Sequence, residues 1–206
     1  MTTLAELRDK VANDIRDPLF ATFTESQVDA LINAGVNEVS RVYPKELLDD
    51  VTLVADTYSY ATEARQVFRV EHYRDNRVHA LLYPNEADSS QGGWEVFAGE
   101  IHLPQGFVDH ASIGSDFVRL WGYGERAQLT ADAQVLDADA DGEWGIRYYA
   151  RWQAFQAMLH DRALFKQWQG VSQNTDITPA QLQQDVLTYA GEWERHRNRL
   201  RRLRRV

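Results

Sequence analysis

The feature that most constrains this chain is an apolar seam near its C-terminus. Leu182, Val186, Tyr189, Trp193, His196, Leu200 and Leu203 recur at alternating steps of four and three. At about 100° per residue, that spacing confines them to one narrow helical stripe, which is coiled-coil-like and needs another surface to cover it. The start is marked as well: Thr178 caps, Pro179 fits the first helical position, and Gln181 stands in capping-box register. A helix from Thr178 to Val206 would be roughly 42 Å long. That exceeds what a small bundle covers, so part of it is expected to reach a partner.

Outside the seam, the helix end is almost entirely arginine: Arg195, Arg197, Arg199, Arg201, Arg202, Arg204 and Arg205, with no acid among the last twelve residues. The whole chain carries -9, so setting these seven aside leaves -16 on residues 1 to 194. A basic tail on an acidic body complements an acidic protein surface, a neighbouring copy of that body, a phosphate backbone or an anionic membrane. Arginine in place of lysine favours planar, bidentate contacts to carboxylate or phosphate. A plainer reading is a solvated helix end whose charges complement the helix dipole. Leu200 and Leu203 count against it, because a solvated end has no need to extend the seam.

A chain of 206 residues suits one domain, or one domain with an insertion, and buries about 70% of its unfolded surface. Its six tryptophans, nine tyrosines and eight phenylalanines supply a real core. The absence of cysteine excludes disulfides and thiolate metal sites. The opening MTTLAELRDKV lacks a secretory pattern and no apolar run approaches the ~18 residues of a membrane span. A cytoplasmic product without a membrane partner is expected.

Taken in order, Thr3 with Glu6 forms a capping box, and Leu4, Leu7, Val11 and Ile15 mark one helical face up to Asp17 and Pro18. Thr24 with Gln27 repeats the signal, and Val28, Leu31, Ile32, Val36, Val39 and Tyr43 carry a second helix to Pro44. Gly35 inside it costs about 1 kcal/mol relative to alanine, which suggests close approach of another backbone, within the subunit or between subunits. From Val51 to Tyr123 the period becomes alternating. Strands are expected at 51–54, 65–73, 77–83, 94–97, 100–103 and 116–123, with Phe68 and Val70 on one face and Arg69 and Glu71 on the other. WEVFAGEIHLP reads as a tight hairpin turning at Ala98 and Gly99, with Trp94, Val96, Ile101 and Leu103 inward and Pro104 as a stop. Residues 88–93 and 105–115 read as exposed loops open to a partner. After Asp141 the helical period returns, with Trp144, Tyr148, Trp152, Phe155 and Leu159 in one stripe. Tyr149, Met158, Phe165 and Trp168 widen its coverage up to Gly170.

Signatures of chemistry are sparse. Asp137, Asp139, Asp141 and Gly142 mimic the opening of a calcium loop, but the twelfth position is Tyr148 where a bidentate glutamate belongs. An acidic first turn capping the aromatic helix explains them better. The six histidines show no close metal pairing, and there is no phosphate loop, dinucleotide fingerprint or nucleophile elbow. No catalytic residue, cofactor or metal is expected. His196 reads as a packed or interfacial residue, and Trp94 and Trp121 as β core more than a base-stacking platform.

The order TLAELRDKVANDIRD, FTESQVDALINAGVNEVSRVYP, WEVFAGEIHLP and EWGIRYYARWQAF resembles that of the head-to-tail connector proteins of tailed bacteriophages, also called adaptor or head-completion proteins. The resemblance spans nearly the whole chain and rests on diffuse patterns. It implies an α+β fold: a helical bundle of residues 1–48 and 125–206, an inserted antiparallel β domain of 49–124, and a long C-terminal helix. It further implies a structural, non-enzymatic virion protein of the neck, assembled in the host cytoplasm as a ring of about twelve copies beneath the portal protein. Such a ring extends the DNA channel, lets genomic DNA pass without sequence-specific binding, and receives the next neck or tail protein, of stopper or tail-terminator type. Docking on the portal would fall to Arg195, Arg197, Arg199, Leu200, Arg201, Arg202, Leu203, Arg204, Arg205 and Val206. The alternative is a nucleic-acid-binding protein whose arginine helix neutralises phosphates, and the charge of -16 on the body opposes it.

Overall fold

A computed structural model of the chain describes residues 2–84, 93–111, 115–171 and 174–203. It divides into two compact units, residues 1–44 with 126–206 and residues 45–125. The first is helical: α1 (Leu4–Asp14), α2 (Glu25–Val42), α4 (Ala140–His160), α5 (Arg162–Gln169) and α6 (Pro179–Leu203). Among its described residues, the second holds seven strands and a short helix, α3 (Gln105–His110). The fold is α+β, a helical bundle with an antiparallel β insertion and a long C-terminal helix.

Both N-terminal capping boxes form in full, Thr3 with Glu6 and Thr24 with Gln27, so each helix starts where its first free N–H groups find side-chain acceptors. Between the two helices, the buried Asp17 carboxylate accepts from the backbone N–H groups of Ala21, Thr22 and Phe23 at 2.8–2.9 Å. That carboxylate fixes the hairpin turn. Leu4, Leu7, Val11 and Ile15 enter the same core as Val28, Ile32, Val36 and Val39.

Helix α4 is the central element, packed by α2 on one side and α6 on another. Gly35 is explained within the subunit, since a Cβ there would lie 2.9 Å from the backbone oxygen of Ile146. The buried positions of α4 are mainly small or aliphatic, including Gly142, Gly145, Ile146, Ala150 and Ala154, joined by Phe155 and Met158. Here the structure corrects the aromatic-stripe reading: Trp144 and Leu159 are substantially exposed. A helix enclosed on two sides needs small residues where backbones approach, so Trp144 turns outward and Tyr148, Tyr149 and Trp152 pack at the flanks, while Phe155 stays buried. The expected single helix is also two, because Asp161 breaks it and its carboxylate accepts from Ala163 N and Leu164 N to cap α5.

In the β unit, β1 (Lys45–Thr52), β3 (Ala64–Arg74), β4 (Arg77–Leu82) and β7 (Phe117–Gly124) form an antiparallel sheet of order β1-β7-β3-β4. A smaller sheet has the order β2-β6-β5, from β2 (Ser59–Ala61), β5 (Glu95–Phe97) and β6 (Glu100–His102). Strand β1 begins at Lys45, directly after Pro44 and ahead of the expected 51–54, and β2 has no counterpart in the sequence reading. The Ala98-Gly99 turn has φ of 53° and 84°, the left-handed pair a two-residue hairpin requires. Trp94, Ile101 and Leu103 are buried with Val70, Val118 and Leu120. Phe68 does not share a face with Val70: a register shift between Val67 and Arg69 turns it outward, leaving it 54% exposed with its ring 5.3 Å from that of Tyr123. Part of the expected 105–115 loop is helical, since Pro104 precedes α3, and 85–92 and 112–114 lie outside the described residues.

Candidate functional site

Helix α6 runs antiparallel to α4, with its end beside the first turn of α4. Thr178 and Gln181 close their capping box, at 2.8 Å from Thr178 N to Gln181 Oε1 and 3.2 Å from Gln181 N to Thr178 Oγ1. The seam is covered inside the subunit: Leu182, Val186, Trp193 and Leu200 are core residues, and Tyr189 packs against them. The ring of Tyr189 lies 4.7 Å from that of Phe155, and Trp193 lies 5.3 Å from Tyr149. Burial pushes the Tyr189 hydroxyl above its ordinary value, with Asp185 adding to the shift. The phenol therefore stays neutral.

The last turns separate into groups used within the bundle and groups left outward. Leu200 is 0% exposed, and its Cδ1 stands 3.0 Å from where a Cβ on Gly145 would be. The apolar contact assigned to Leu200 on a partner is thus made by the chain with itself, in the hollow that Gly145 leaves. His196 donates from Nε2 to the Asp141 carbonyl at 2.8 Å, and its ring lies 5.3 Å from Tyr148. Arg199 pairs with the Asp141 carboxylate at 2.8 Å, and Arg197 with Glu194 one turn back at 3.0 Å. Arg195, Arg201 and Arg202 are exposed and make no ion pair among the described residues, and Leu203 is 40% exposed. Arg204, Arg205 and Val206 lie outside the described residues.

Between α4 and α6, an open groove of about 300 Å³ is lined by Tyr148, Glu192, Arg195, His196 and Arg199. Glu192 is held by Arg151, whose guanidinium lies 4.1 Å from the Tyr189 ring. Arg195 and the outer edge of Arg199 therefore give this rim its positive character, which suits a carboxylate or phosphate.

Sequence reasoning missed Asp141 as the residue that organises the site. The available signal was an acidic first turn on one helix and a basic last turn on another, which an antiparallel pair brings together with both macrodipoles complemented. The calcium-loop mimic resolves in the same terms. Asp139 caps α4 through Gly142 N at 2.8 Å and accepts from the Tyr43 hydroxyl at 2.8 Å, while Asp141 serves Arg199. The hydrogen bond from Tyr43 to Asp139 raises the pKa of that phenol, with burial adding to it.

Elsewhere, two carboxylates are buried among the described residues of the β unit. Asp116 meets His72 Nε2 at 2.8 Å and Arg74 at 3.0 Å. Glu71 accepts from Trp121 Nε1 at 2.8 Å, from the Tyr73 hydroxyl at 3.3 Å and from Arg69. Burial pulls its pKa upward, but these donors outweigh it and hold Glu71 below the usual carboxylate range. Both carboxylates are satisfied within the fold.

The family model described as SU10 adaptor protein matches residues 2–202 of the chain. No curated protein matches it.

Proposed function

The chain belongs to the SU10 adaptor protein family, a family of structural phage adaptors, and from that premise we propose that it forms a head-to-tail ring docked beneath the portal by its C-terminal helix. The family implies a component of the virion neck associated with portal and tail proteins. The finer reading is a ring of about twelve copies that extends the DNA channel and receives the next neck or tail protein.

One observation carries the docking assignment. The α6 seam is anchored in the bundle as far as Leu200, while Arg195, Arg201, Arg202 and Leu203 remain outward at its end. The helix is held rigidly by one face and presents cationic forks and one leucine on the other, an arrangement suited to acidic grooves with an apolar pocket. Arg204, Arg205 and Val206 continue the same sequence pattern. A body of -16 repels duplex phosphate, so DNA slides through the channel without being gripped.

The burial of Leu200 and His196 decides how this is tested. Cutting after Glu194 would remove core residues, so the informative truncation ends at Leu200. That chain should keep its helical spectrum and lose co-sedimentation with the matching portal at moderate salt. Retained portal binding would overturn the assignment. Binding of the intact chain to duplex DNA without portal association, falling steeply with salt, would support a phosphate-neutralising helix instead.

A further inference from the structure

The outward face of the four-stranded sheet carries a group of exposed apolar side chains. Leu48 on β1 pairs with Trp121, and Leu81 and Val78 on β4 pair with Glu71 and Tyr73, so their side chains share the face opposite to that of Val70, Val118 and Leu120. The β-bulge brings Phe68 onto it against Tyr123. Leu48, Phe68, Val78 and Leu81 are each 47–54% exposed, and Tyr83 just beyond β4 is more exposed still. With the exposed parts of Tyr73, Phe117, Trp121 and Tyr123, the face offers roughly 800 Å², about one side of a standard protein interface. A surface of that size left in water marks an interaction site.

Charge decides what covers it. The β unit, residues 45–125, holds fourteen acids against six arginines and lysines, a net of -8. Most charged groups of the face are matched within the sheet, since Asp50 takes Arg119 at 2.6 Å and 2.7 Å and Glu71 takes Arg69, while Glu46 lies exposed near the start of β1. A basic partner would seek the unmatched acids elsewhere on this unit. Another copy of the same acidic chain would be repelled everywhere except where charge is neutralised and apolar area is available. We propose that this sheet face, centred on Leu48, Phe68 and Leu81, is the surface on which a neighbouring copy of the chain packs.

The proposal names the copy-to-copy contact of the ring and rests on that reading for one condition of its test. Association through a largely charge-matched face with apolar area, between like-charged units, holds or strengthens as salt screens their repulsion, whereas docking through arginine weakens. The chain contains no cysteine, so Leu81→Cys supplies a single thiol for a photo-crosslinker. Irradiating the full-length protein, alone and bound to portal, should give an adduct of twice the 23.7 kDa chain. Its yield should hold or rise from about 0.05 to 0.5 M salt. Adding Leu48→Glu should abolish it without changing the circular dichroism spectrum. No twice-mass adduct in either condition, a yield that falls with salt, or an adduct untouched by Leu48→Glu each overturns the proposal. Portal co-sedimentation is scored separately. Co-sedimentation without the adduct sinks this face alone, while the adduct without co-sedimentation sinks the portal reading alone.

Discussion

Replacing Leu200 with alanine separates its two possible roles, core residue and partner contact. The side chain is fully buried, beside Gly145 and close to Val39. Truncation removes three carbons, about 2.4 kcal/mol of transfer free energy at about 0.8 kcal/mol each. Gly145 has no side chain to move into the hollow, so much of the cavity remains and the expected loss is about 3–4 kcal/mol. At about 2–4 °C per kcal/mol, the bundle should melt roughly 6–16 °C lower. Near-ultraviolet circular dichroism reports it through the buried Trp168 and Trp193 of the bundle. Leu203→Ala, at a position 40% exposed, should change stability by less than about 1 kcal/mol and weaken portal docking at a temperature where both variants are folded. If Leu200→Ala melts within about 1 °C of the parent, the end of α6 is not packed on α4 and the separation into inner and outer groups is wrong.

Gly35→Ala should gain up to about 1 kcal/mol of helix propensity yet lose more, because its Cβ would stand 2.9 Å from the Ile146 carbonyl oxygen and force α2 and α4 apart. A denaturant midpoint at or above that of the parent would contradict the close approach. Arg8 on α1 bridges Asp29 at 2.8 Å and Asp132 at 2.7 Å, and its hydrogen bond to Asp29 raises an already high pKa. Arg8→Met should cost about 2–3 kcal/mol by leaving Asp29 unpaired, and adding Asp29→Leu should recover much of it in a double-mutant cycle. Glu143 is pulled upward by burial, but Lys10 at 2.7 Å and Thr2 at 2.8 Å more than offset this and hold it below its ordinary 4.5. Its contribution is therefore fully present above that value and lost as pH falls through the lower folded pKa. Glu143→Gln should flatten the acid limb of the bundle's stability curve; an unchanged limb would mean the carboxylate makes no such contacts.

The local signals were legible because each is decided within one turn of chain. Three capping boxes, the apolar faces of α1 and α2, the Ala98-Gly99 turn and the α6 seam all follow from spacing and side-chain reach. The family resemblance also stands, since the ordered motifs quoted for it lie within the matched residues 2–202. What spacing could not supply was the identity of the surface opposite. The seam implied a cover, but the choice between a partner and α4 depended on where the fold brought α4. The aromatic stripe held only in part for the same reason: Phe155 is buried, but burial on α4 follows its two neighbours, which demand Gly145 and Ala150 at close approach and push Trp144 outward.

The sequence by itself determined most of the element types, the acidic body and the arginine-rich end, because periodicity, capping chemistry and charge are properties of residues near one another in the chain. Only the tertiary structure decided that Leu200 belongs to the core, that Asp141 receives both His196 and Arg199, and that a β-bulge turns Phe68 onto an exposed sheet face. Those outcomes depend on contacts between residues tens of positions apart, and the free energy of such contacts is set by burial and close packing.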